Sequence, residues 1–170
     1  MIETRLDKNF KIKGFFDEET STISYVVYDM TSKKCAVIDS VLDFDFSSGT
    51  IDYHNAEKII SFIEKMKLDL EWLIETHVHA DHLSASPYIQ KKLGGKIGIS
   101  EKISDIQNIF GKTFNAGTEF QRDGSQFDRL FKDNDEYKIG SIKCKVINTP
   151  GHTPACTCLL YTSPSPRDVC

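Results

Sequence analysis

The chain has 170 residues, 39% of them apolar and 27% charged, enough for one soluble domain with a buried core. Its formal charge of -4 comes from 25 acidic and 21 basic residues spread without a basic block, so nucleic acid is not an expected partner. The opening residues alternate charged and apolar side chains without the apolar core of a signal peptide, and no apolar run approaches the roughly eighteen residues of a membrane span, so a cytoplasmic protein with no membrane partner is expected.

In chain order, residues 20–29 (TSTISYVVYD) and 34–39 (KCAVID) are β-branched and aromatic runs that predict two adjacent strands around a turn at 30–33 (MTSK). In residues 55–67 (NAEKIISFIEKMK), Ile59, Ile60, Phe62, Ile63 and Met66 recur at helical spacing, and residues 52–54 can supply a cap. Residues 70–76 (LEWLIET) predict a buried strand. Residues 84–93 predict a helix that tolerates Pro87 in its first turn and ends at Gly94 and Gly95. A short strand at 96–99 and a helix at 101–110 follow.

Residues 111–135 are polar and glycine-punctuated, a long loop that Phe114, Phe120, Phe127, Leu130 and Phe131 would pin to the body. Residues 136–147 hold two β-like runs around Gly140 and Ser141, a hairpin signal, and lead into Thr149-Pro150-Gly151-His152-Thr153.

The chemistry concentrates in Thr76-His77-Val78-His79-Ala80-Asp81-His82. Three histidines and a carboxylate so close together are costly to pack, because each ring nitrogen needs a partner and protonated rings repel; a bound cation removes both problems. In an extended segment His77 and His79 point the same way, while the turn that follows swings Asp81 and His82 toward a neighbouring position, building two adjoining half-sites. The cluster begins at the carboxyl end of a strand, where loops of α/β proteins project into a crevice. His152, between a permissive glycine and a threonine hydroxyl, is the natural extra ligand. Imidazole and carboxylate without cysteine favour a catalytic centre over a closed structural one, and suit Zn, Fe, Mn or Ni alike.

Other candidates are weaker. Asp39 ends a strand near the expected crevice and either supports the site or simply forms a turn; the turn is the reading adopted. His54 reads as a surface residue near a helix start. Cys35, Cys144, Cys156, Cys158 and Cys170 show no zinc-type spacing, and an odd count does not suit a disulfide framework, so reduced thiols are expected. Cys35 and Cys144 read as core residues. Cys156, four positions after His152, is either core or a thiol near the metal.

The pattern HVHADH followed downstream by GHT resembles the metallo-β-lactamase superfamily. Within it, ETHVHADHLSASPYIQKKLGG, FNAG, DGSQFD and TPGHTPAC resemble the persulfide (sulfur) dioxygenase branch, which includes β-lactamase-hydrolase-like proteins and is close to hydroxyacylglutathione hydrolase, glyoxalase II. The resemblance covers about residues 15–157 and implies an α/β (α+β) fold, the N-terminal portion of an αβ/βα sandwich with the metal site between two mixed sheets. It implies His77, His79 and His152 at a first metal, with Asp81 and His82 at a second, Asp81 also being the catalytic candidate.

In the iron-dependent branch the resemblance implies mononuclear Fe(II), held by His77, His152 and a later aspartate, acting on glutathione persulfide. Thioester-hydrolysing relatives imply Zn(II), one or two ions, and a glutathione thioester. Residues 1–157 are expected to form a partial domain of this type. The string 158–168 (CLLYTSPSPRD) resembles a translated transposase-type sequencing adapter, so 158–170 are expected to be a non-native tail on an N-terminal fragment. Such a fragment would lack the later aspartate, and inactivity of the chain as written is the third reading.

Overall fold

The computed structural model describes residues 10–161; positions 162–170 of the expected adapter tail, Cys170 included, lie outside the described residues. The chain opens with β1 (Phe10–Asp17), β2 (Thr22–Asp29) and β3 (Lys34–Ile38), paired antiparallel in sequence order. The turn expected between β2 and β3 closes with Lys33 N–H donating to the Asp29 carbonyl oxygen at 2.9 Å. The sequence reading assigns no strand to β1, an edge strand whose side chains are largely exposed although Phe10, Ile12 and Phe16 recur at period two.

A hairpin of β4 (Val41–Asp45) and β5 (Thr50–Asp52) follows, then α1 (His54–Lys65). The expected cap from residues 52–54 does not form: no side chain caps α1 at Tyr53. The Asp43 carboxylate of β4 instead accepts from Asn55 N–H at 2.9 Å and from Asn55 Nδ2 at 2.6 Å, placing negative charge at the positive end of the helix.

β6 (Asp69–Ile74), α2 (Ser86–Leu93), β8 (Lys96–Ser100), α3 (Ile103–Thr113) and β9 (Arg129–Phe131) come next, with β7 (Leu83–Ser84) between β6 and α2. Helix α2 starts two residues later than expected because Leu83 and Ser84 pair with β4. In the long loop, Phe131 is buried in β9 and Phe127 and Leu130 pack on the core, but Phe114 and Phe120 remain exposed. Apolar contacts pin only the end of that loop, while Arg122, Gly124 and Gln126 tie its middle to Gly111 and Gln107 by hydrogen bonds. The hairpin of β10 (Glu136–Ile139) and β11 (Ile142–Asn148) turns at Gly140 with φ 58°, and β12 (Thr157–Leu160) pairs with β11. Cys158, Leu159 and Leu160, at the start of the expected tail, therefore lie within a strand.

The six-stranded sheet runs β1-β2-β3-β6-β8-β9, with β3, β6, β8 and β9 parallel. Side chains alternate between its faces. Val26, Val37 and Leu73 meet Ile59, Ile60 and Ile63 of α1 and Ile89 of α2 on one side. Val27, Ala36, Ile38 and Ile74 meet Tyr137, Ile139, Ile142 and Val146 of the β10-β11-β12 sheet on the other. The result is a helix layer and two facing sheets, each apolar face covered by the next layer.

Polar contacts also cross between the sheets, the most heavily bonded of them at Asp29. Buried Asp29 accepts from Thr31 N–H and Ser32 Oγ at its own turn, and from Ser141 N–H at 2.9 Å and Ser141 Oγ at 2.6 Å in the β10–β11 turn. Burial works against the charge, but these four donors outweigh it and hold the carboxyl far below the usual range. Cys35, Cys144, Cys156 and Cys158 are free thiols, the first two buried as expected. No helix among the described residues is long and apolar enough to cross a membrane.

Candidate metal centre

The parallel pairing of β3 with β6 puts residues 39 and 75–82 side by side at the carboxyl ends of adjacent strands. Asp39 leaves β3 with φ 50°, a left-handed conformation that aspartate tolerates better than most residues, and its N–H donates to the Ile74 carbonyl oxygen. Its carboxylate then reaches into the 75–82 segment: Oδ1 accepts from Thr76 N–H at 2.7 Å and Oδ2 from Thr76 Oγ1 at 2.8 Å. Asp39 is thus part of the site, and the simple turn reading is corrected.

The second sheet delivers His152. Thr157, at the start of β12, donates its N–H and its hydroxyl to the Thr76 carbonyl oxygen at 2.9 and 3.0 Å, and Ala155 is buried against Ile99, Ile103 and Ile106. These anchors bring the His152 ring against His77, edge to face, with centroids 5.1 Å apart. The His77 and His79 centroids are 4.1 Å apart, and those of His79 and His82 4.2 Å. All four rings form one continuous cluster. The donor atoms of His79, Asp81 and His82 lie within 4.8 Å of one another, with His77 and His152 beside them. His54 stays exposed at the start of α1, away from this cluster.

The hydrogen bonds fix which ring nitrogens carry protons. Thr76 Oγ1 gives its only proton to Asp39, so at 2.9 Å from His77 Nδ1 it can only accept; His77 Nδ1 carries the hydrogen and Nε2 is bare. His82 Nδ1 lies 2.9 Å from the Leu83 carbonyl oxygen, an obligate acceptor, so Nδ1 is again protonated. Its Nε2 is left buried without a hydrogen-bond partner. His79 Nε2 faces Asp39 Oδ1 at 3.0 Å, so Nε2 carries hydrogen and Nδ1 turns toward Asp81 Oδ1 at 3.7 Å.

An orphaned buried nitrogen is expensive, and three rings each pinned by an acceptor on one side and open on the other are what a metal requires. The residues present fit an imidazole- and carboxylate-bound cation. Electrostatics agree. Burial and the neighbouring His79 hold His77 below the usual histidine range, keeping it neutral. Burial opposes charge on His79 too, but the Asp39 and Glu75 carboxylates outweigh it and raise its pKa to about 10. In the metal-free protein His79 therefore carries an extra proton, which a cation on Nδ1 would displace. Asp81, desolvated but held by its own backbone N–H, His82, His79 and Thr22, titrates below the usual range and is ionised at neutral pH.

The sequence reading omitted Glu75. It is buried at the end of β6, with Oε2 3.4 Å from His79 Nε2. Its signal was a carboxylate directly after the apolar Trp72-Leu73-Ile74 run and two positions before His77. Two cavities flank the histidine loop. One of about 830 Å³ is walled by Thr20, Leu42, Phe44, His79, Asp81 and Leu83. A smaller one of about 310 Å³ lies against Glu75, His77, His82, Val78, Ile99 and Phe127. Cys156 is half-buried, and its sulfur receives the Thr153 N–H at 3.2 Å.

Comparison with known proteins gives the family of the chain. A probable metallo-hydrolase of Burkholderia pseudomallei is 48% identical over 151 residues, 89% of this chain and 51% of that protein. Glyoxylase B2 of Dictyostelium discoideum is 42% identical over 86% of this chain and 50% of its own length. The human mitochondrial persulfide dioxygenase ETHE1 is 24% identical over 85% and 45%. The crystal structure of ETHE1 from Myxococcus xanthus superposes with a TM-score of 0.65 at 22% identity, covering 89% of this chain and 53% of that one. The chain spans about half the length of the curated relatives it matches. The family model described as the metallo-beta-lactamase superfamily matches residues 18–165, and the chain belongs to that superfamily.

Proposed function

We propose that the protein oxidises a low-molecular-weight persulfide, glutathione persulfide in the first instance, in the cytoplasm: RSSH, O2 and H2O give RSH, sulfite and two protons. The observation that carries a metal-dependent reaction is the grouping of His77, His79 and His82, each ring held by an acceptor on one side so that its other nitrogen turns into the cluster. The persulfide assignment rests on the TPGHTPAC and ETHVHADH resemblance and on the persulfide dioxygenase among the relatives.

His77, His79 and His152 would hold the first metal and Asp81 with His82 a second position. Of these, His77 and His152 would hold a mononuclear Fe(II), which would supply the redox chemistry. The protein's own part is orientation. Asp39 and the Leu83 carbonyl oxygen lock the rings. Ionised Asp81 presents a proton acceptor at the mouth of the larger cavity. The apolar walls of the smaller cavity limit water access.

The second reading is thioester hydrolysis with one or two Zn(II) ions, in which metals polarise the carbonyl and acidify bound water. The close grouping of His79, Asp81 and His82 favours it, as does the glyoxylase among the relatives. Iron content with persulfide-dependent O2 uptake supports the first reading. Zinc-only protein that consumes no O2 and turns over S-lactoylglutathione would overturn it in favour of the second.

A further inference from the structure

We propose that Glu75 is a positioning residue that sets how strongly His79 binds the metal; the inference rests on the metal-centre reading above. Glu75 is 4% exposed, and burying a carboxylate costs several kcal/mol unless its oxygens are satisfied. One of them is. Oε1 accepts from Ser84 Oγ at 2.5 Å and from Ser86 Oγ at 2.6 Å, and Ser86 Oγ is itself 3.1 Å from Ser40 Oγ. Oε2 makes no hydrogen bond and faces His79 Nε2 at 3.4 Å.

The same Nε2–H already has an acceptor in Asp39 Oδ1 at 3.0 Å. Asp39 alone fixes the tautomer, so Glu75 is not needed for that. What it adds is a second negative charge behind one imidazole, on the side opposite the nitrogen that faces Asp81. The two serine hydroxyls grip Oε1, so the carboxylate cannot rotate away, and the apolar walls of the 310 Å³ cavity weaken the screening of its charge by water. Two carboxylates drawing on one N–H push electron density toward Nδ1 and strengthen it as a donor. They also offset the charge of the cation it would hold.

The test measures Zn2+ affinity of the full chain by competition with a chromophoric chelator, the visible spectrum of Co2+-loaded protein, and the Tm of metal-free protein. Glu75→Gln keeps the shape and removes the charge. It should weaken Zn2+ binding about 10- to 100-fold, move the Co2+ ligand-field bands to lower energy, and lower the metal-free Tm only modestly, because Asp39 still holds the His79 Nε2–H. Glu75→Asp should recover part of the affinity and of the spectral shift. Ser84→Ala with Ser86→Ala, which frees Oε1 without touching the carboxylate, should weaken binding several-fold. Wild-type affinity and an unshifted spectrum in Glu75→Gln, or unchanged affinity in the double serine variant, would overturn the proposal. A wild-type chain that binds neither Zn2+ nor Co2+ would instead remove the metal-centre reading and this inference with it.

Discussion

His82 holds its Nδ1–H on the Leu83 carbonyl oxygen at 2.9 Å and so turns a bare Nε2 inward, with no partner among the described residues. Because that nitrogen is buried, the metal-free fold bears an unsatisfied acceptor that a cation relieves. His82→Ala should therefore separate binding from folding. Metal content after dialysis, read by elemental analysis, should fall well below wild type, with affinity lower by about 100-fold or more, while the metal-free Tm stays level or rises.

Removing the metal from wild-type protein should lower its Tm. A ligand present at 100 times its Kd stabilises by about 2.7 kcal/mol, which for a domain of this size corresponds to roughly 5–10 °C. Calorimetry with and without a chelator checks this, and the difference should collapse in His77→Ala and His82→Ala.

Asp39→Asn should be more damaging to binding than its small chemical change suggests. Asparagine tolerates the left-handed backbone at this position, so the turn survives. Its amide offers only one oxygen where Thr76 and His79 together need two acceptors. With Thr76 free to reorient its hydroxyl, the His77 tautomer is no longer fixed. A loss of about 10- to 100-fold in metal affinity with a preserved circular-dichroism spectrum is expected.

How much of this was legible in the sequence divides along local and non-local lines. The amphipathic spacing of Ile59, Ile60 and Ile63, the β10–β11 hairpin at Gly140 and the histidine-bearing turn after β6 all follow from neighbouring residues, and each is found close to where it was expected. β1 was not assigned although Phe10, Ile12 and Phe16 alternate along it, and as an edge strand it leaves most of those side chains exposed. The cap on α1 was misplaced because its acceptor, Asp43, comes from a hairpin that the sequence reading passed over, although Leu42, Phe44 and Phe46 alternate there with Asp43 and Asp45. The same limit applied at the site. The histidines announce themselves by clustering, but the carboxylates that orient them, Asp39 and Glu75, are recruited from strand ends whose adjacency depends on parallel pairing. A resemblance in HVHADH carries the ligand types without these supports.

Acid sensitivity should trace largely to Asp29. Its carboxyl pKa is depressed in the folded protein, so between the folded and unfolded values the unfolded chain binds more protons. The stabilisation is complete above the unfolded carboxylate pKa of about 3.9 and is lost as pH falls through the depressed folded value. Asp29→Asn should cost about 2–4 kcal/mol at neutral pH, since a buried acceptor for four donors loses its charge. Its denaturation midpoint should also vary less with pH below about 4 than that of wild type. Urea melts from pH 2.5 to 7 provide the comparison.

The Thr157 to Thr76 hydrogen bonds join positions 81 residues apart. As the polypeptide leaves the ribosome, β3, β6 and the histidine loop can assemble long before residue 152 is synthesised, leaving the loop open to solvent and to competing cations. Docking of the second sheet then closes it, so the latch at Thr76 sets a temporal order. Which metal is retained becomes a question of what is available in that interval as well as of equilibrium preference.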